Sequence, residues 1–70
     1  MVYLFEFFVI GGSGDRLSIN TTKHREVTAA LADGYAQATM RDVLFDGQRA
    51  TVCVIKDQVG HMLREVIAVG

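Results

Sequence analysis

The sequence predicts an α+β domain of order β-β-α-β-β-β, an antiparallel sheet of about five strands with one helix packed on one face. Three observations carry this. An aromatic and β-branched run from Val2 to Ile10 stops at a glycine-rich loop, and one stretch after Thr22 has its apolar residues at helical spacing. Two short turns, Asp46-Gly47 and Asp57 to Gly60, then divide the remainder into apolar segments of strand length. With 70 residues there is room for one domain, residues 1–70, and one hydrophobic core.

Val2 to Ile10 reads as the first strand, closed by Gly11-Gly12-Ser13-Gly14-Asp15. Arg16 to Asn20 alternates polar and apolar, which places Leu17 and Ile19 on one face of a second strand and makes the pair a hairpin. From Thr22 the period changes. Val27, Ala30, Leu31, Gly34, Tyr35 and Ala38 fall on one helical face, with Thr22 as the expected N-cap, Glu26 in the first turn and the end near Thr39 or Met40. Gly34 on that face predicts a close approach of helix to sheet. Val43-Leu44-Phe45 then forms a short strand, Asp46-Gly47 a type I′ turn, and Gln48 to Lys56 a longer strand. After a second turn at Asp57-Gln58-Val59-Gly60, the segment His61 to Val69 fits both an amphipathic helix and a strand. Its β-branched Val66, Ile67 and Val69 favour strand.

Half of the residues are apolar, proline is absent and 21% are charged, which is the composition of a folded chain and not of a disordered tail. The net charge of −1 gives no overall field for polyanions. One cysteine, Cys53, forms no internal disulfide, so nothing calls for an oxidising compartment and the cytoplasm is expected. The apolar opening run has no basic flank and carries Glu6 at its middle, which does not fit a signal peptide or a membrane span. Without a secretory signal, the sequon at Asn20-Thr21-Thr22 reads as coincidence.

No motif with chemistry emerges. The Gly11-Gly12-Ser13-Gly14 loop lacks the Gly-Lys-Ser/Thr of a Walker loop and is followed by a strand pattern, so it reads as a hairpin turn. Cys53 sits in an apolar strand where burial makes a thiol inert, and His24 and His61 lie too far apart in sequence to suggest a zinc site with it. The carboxylates fall at turns and polar positions, with no pair arranged for acid–base work. No catalytic residue, cofactor or metal is expected.

The first strand is informative because both of its faces are greasy. A single helix covers one face only, so Tyr3, Phe5, Phe7 and Val9 are expected under the helix. Leu4, Glu6, Phe8 and Ile10 then form an open face for dimerisation or partner binding, with Glu6 a polar break that argues against a dry core. Lys23, His24 and Arg25 are expected at the helix start, where backbone N–H groups favour an anion or a partner's carboxylate. These residues define the expected partner-binding set. The alternative use of an aromatic strand with a basic helix start is as a stacking platform for single-stranded nucleic acid, which the charge balance disfavours.

Two strands, one helix bearing Val27, Ala30, Leu31, Gly34, Tyr35 and Ala38, and three more strands around Asp46-Gly47 and Val59-Gly60 resemble compact phage-encoded inhibitors. In particular they resemble those anti-CRISPR proteins in which a five-stranded antiparallel sheet packs on one helix. The resemblance spans the chain in element order and size. It implies a non-enzymatic protein of the host cytoplasm that occupies a surface of a bacterial defence complex. Many such inhibitors are strongly acidic and this chain is nearly neutral, which departs from DNA mimicry.

Overall fold

The computed structural model describes residues 1–68, which form four strands and one helix. These are β1 (Val2–Ile10), β2 (Arg16–Arg25), α1 (Ala29–Asp42), β3 (Val52–Lys56) and β4 (Met62–Ile67). They make one antiparallel sheet of order β2-β1-β3-β4 with α1 against one face. Strand β1 keeps its expected limits, and the last segment is extended. Val69, the end of its expected span, lies outside the described residues.

The hairpin is longer than expected. Strand β2 runs on to Arg25, so that every residue of β1 back to Val2, paired with Arg25, has a partner. A ladder stopping at Asn20 would leave the backbone groups of Val2 to Glu6 open on that edge. The β-branched Thr21 and Thr22 also suit a strand. A bulge opposite Phe7 and Phe8 absorbs one extra residue, Ile19, which packs against the core.

Helix α1 consequently starts later, with Thr28 and not Thr22 as N-cap, its side-chain hydroxyl accepting from Leu31 N–H at 3.2 Å. The buried helix face is also different from the expected one. Ala32, Ala36 and Met40 face the sheet at i, i+4 and i+8, while Val27, Ala30, Leu31 and Gly34 are exposed. Small side chains win these positions because the sheet supplies the bulk. Tyr3, Phe5 and Phe7 are buried beneath the helix, with the Tyr35 ring edge-on to Phe5 at 4.8 Å. A Cβ at Gly34 would meet nothing beyond its own stretch of helix within 4 Å, so this residue makes no close approach to the sheet. Gly34→Ala is therefore expected to stabilise the chain by about 0.5–1 kcal/mol through helix propensity alone. A rise of the midpoint in urea unfolding checks this, and a fall would contradict it.

The fifth strand is absent among the described residues. Val43 caps the helix by donating its N–H to Thr39 O, and the chain enters the Asp46-Gly47 turn two residues later. Both turn residues have positive φ, 54° and 81°, as a type I′ turn requires. Phe45 and Gln48 exchange both backbone hydrogen bonds, but the pairing goes no further. Strand β1 already has β2 and β3 on its two edges, so the sheet has no inner place for residues 43–45. Phe45 instead lays its ring on Phe7, 5.0 Å between centroids, and closes that end of the core. The expected strand from Gln48 is likewise shorter, beginning at Val52.

Candidate interaction surface

Alternation along β1 sends Tyr3, Phe5 and Phe7 under the helix and Leu4, Glu6, Phe8 and Ile10 to the opposite side, where no second layer lies. Register places Lys23 opposite Leu4 and Arg25 opposite Val2, so both belong to this open face. Strand β3 adds Val52, Val54 and Lys56, and β4 adds Met62, Glu65 and Ile67. Lys23 and Arg25 are thus strand residues beside the apolar row, not helix-start residues. The expected set comes together except for His24.

His24 points the other way. Its ring stacks on Tyr35 at 3.8 Å and 4°, lies edge-on to Phe5, and its Nε2 is 2.9 Å from Glu26 Oε1. Strand alternation separates it from its neighbours, and it helps to hold the helix on the sheet. The helix start itself carries none of the three basic residues, so the anion-binding role assigned to them there falls away.

Polar pairs cross half of the open face. Glu6 accepts from Lys56 Nζ and from Ser18 Oγ, both at 3.0 Å, which joins β3, β1 and β2. Arg16 Nη1 reaches Glu65 Oε2 at 2.7 Å, which links the two edge strands across both middle ones. Beneath these side chains Val52 and Val54 are only 4% and 7% exposed, although no helix covers them. The Val2 end of the face, beyond Lys56, has no such pair. Val2, Leu4, Lys23 and Gln58 there line a recess of about 350 Å³.

The Glu6 carboxyl is held below the usual glutamate range, first by the hydrogen bond from Lys56 and then by that from Ser18. A lowered folded-state value means that its contribution is fully present above the ordinary glutamate range and is lost as pH falls through the folded value. Acidification below that range is expected to lower the urea midpoint. Glu6→Gln is expected to show a shallower decline over the same window, and equal slopes for the two proteins would contradict the assignment.

Cys53 is fully buried between Phe7 and Val66 on the helix side, and burial pushes its thiol up to about 12. It is a small core residue with no thiolate at neutral pH. Among the described residues no three His, Cys, Asp or Glu side chains gather in a way that could hold a metal ion. No helix of the described residues is long and apolar enough to cross a membrane.

Both edges of the sheet are irregular. Strand β2 bulges against β1, and β4 shifts register against β3 near Lys56. Bulged, charged edges resist the addition of a further strand. The aromatic residues that a base-stacking platform would need are also placed away from the open side, which keeps only Phe8.

In comparisons with protein-family models, curated proteins and solved structures, nothing matches this chain. The class of protein is accordingly defined by fold alone: a small α+β domain with one helix on a four-stranded antiparallel sheet.

Proposed function

We propose that this chain is a non-catalytic protein–protein interaction module that acts by occupying a partner's surface through the open side of its sheet. One observation carries the reading. The helix covers a single face, and the other holds an apolar row, Leu4, Phe8, Ile10 and Ile67, set among charged side chains with no covering layer. Ile10 and Ile67 are half-exposed, at 50% and 54%.

The most specific form of this reading is a phage or mobile-element inhibitor of the anti-CRISPR type, blocking a host complex sterically. Its support is the size of the chain and the single helix over an antiparallel sheet. The likeness in strand number is weaker, since a turn stands where the fifth strand was expected.

Site-specific photocrosslinking in the native host tests the module. A crosslinking side chain placed at Ile10 or Ile67 is expected to capture one discrete protein. The same group at Leu31, of matched exposure at 52% on the helix, is expected to capture none. Equal capture from both sides would remove the open face as the contact surface.

A further inference from the structure

We infer that the uncovered end of the open face, at Val2, Leu4, Lys23 and Arg25, docks an acidic, leucine-bearing segment of a different protein. This rests on the interaction-module reading above and narrows it to one end of the sheet and one partner chemistry.

Charge pairing locates the end. Six carboxylates, Glu6, Glu26, Asp33, Asp42, Asp57 and Glu65, lie within ion-pair distance of a basic side chain. Lys23 and Arg25 have no carboxylate within that distance among the described residues, and both are exposed. They stand two strand positions apart on the same side of β2, opposite Leu4 and Val2, which are half-buried. The remaining charges of the face are satisfied internally, Lys56, which stands opposite Leu4, by Glu6 and Arg16 by Glu65. Among the described residues Arg49 is the third cation without an ion pair, but it stands singly beside Arg41, which Asp42 holds, whereas Lys23 and Arg25 set two unpaired charges on one side of β2 next to the recess formed by Val2, Leu4, Lys23 and Gln58.

The distribution of carboxylates disfavours a second copy as occupant. Of the eight acidic residues, Asp15 and Asp46 have no basic side chain within ion-pair distance among the described residues, Glu26 and Asp57 face only histidines, and Asp15 accepts from Ser13 Oγ at 3.0 Å. On a copy of this chain these four carboxylates stand singly in four separate connections, between β1 and β2, β2 and α1, α1 and β3, and β3 and β4, whereas an acidic partner segment supplies neighbouring charges to two neighbouring cations. Charge complementarity of this kind sets partner choice and association rate. Nucleic acid would supply charge as well, but the recess is walled by Val2 and Leu4 with no aromatic ring to stack on.

The test titrates the isotope-labelled chain with three probes: an amphipathic peptide of glutamate and leucine, the same peptide with lysine for glutamate, and oligothymidylate. The glutamate peptide is expected to give saturable shifts in the amides of Leu4, Lys23 and Arg25, with binding about tenfold weaker at high than at low salt. The double variant Lys23→Glu, Arg25→Glu is expected to bind at least about tenfold more weakly. Lys23→Ala with Arg25→Ala, whose thermal unfolding is measured in parallel, separates lost binding from lost folding. Equal binding of the lysine peptide, tighter binding of oligothymidylate, no saturable shift with the glutamate peptide, or self-association through these residues would each overturn the inference. If crosslinking from Ile10 captures a partner and the charge reversal leaves that capture unchanged, this inference falls while the module reading stands. Loss of the crosslinking preference removes the module reading itself.

Discussion

Phe5→Ala is expected to leave no cooperative unfolding transition at room temperature. The Phe5 ring is fully buried at the centre of the sheet, edge-on to Tyr3 and Tyr35, beneath a helix that faces the sheet with Ala32, Ala36 and Met40. Truncating such a ring costs about 3–5 kcal/mol in lost burial and cavity formation. A single core in a chain of this length supplies only about 3–5 kcal/mol of net stability, so the loss is comparable with the whole. The small helix side chains make it worse, because Ala32 and Ala36 have no length with which to fill the gap. Far-ultraviolet circular dichroism against temperature reads the outcome. Phe5→Leu is expected to keep a transition at a lower midpoint, and a Phe5→Ala midpoint within a few degrees of the parent would contradict the placement of this ring.

Ala36→Leu gives the second large effect, and its comparison with Leu31→Ala separates two readings of the helix. Ala36 is fully buried against the sheet, where added carbons must displace aromatic rings, at a cost of about 1–3 kcal/mol or more. Leu31 is 52% exposed, and its truncation is expected within about 0.5 kcal/mol of neutral. In a chain this small about 1 kcal/mol moves the midpoint by about 4–8 °C, so the two variants are easily distinguished. If Leu31→Ala destabilised the protein more than Ala36→Leu, the helix would be packed on its Val27, Leu31 and Tyr35 face instead.

The open face joins two features that the sequence presents separately. Alternation along Val2 to Ile10 reveals the apolar row, since period two assigns Tyr3, Phe5 and Phe7 to one side and Leu4, Glu6 and Phe8 to the other. The basic triplet at residues 23–25 is equally visible, but it belongs to a strand and only Lys23 and Arg25 share that side. Hairpin symmetry held the missing signal. A nine-residue strand turning at a five-residue loop calls for a return strand of matching length, which carries β2 past Asn20 to Arg25. The Glu6–Lys56 and Arg16–Glu65 pairs had no such signal, because their partners lie far apart in sequence and meet only through strand order.

Local rules determined the first strand, the glycine-closed turns and the sidedness of β1, because steric limits on φ and the pleat act over a few neighbouring residues. Gly60 at φ 92° and Asp46-Gly47 are turns wherever the rest of the chain goes. Tertiary structure decided the helix face, the length of β2 and the loss of the fifth strand. Each of these is a competition: Leu31 against Ala36 for the sheet, Thr22 as cap against Thr22 as strand, residues 43–45 against β3 for the edge of β1. Such competitions are won by the arrangement that pairs the most backbone and buries the most aromatic surface at once, a quantity that no short window of sequence contains.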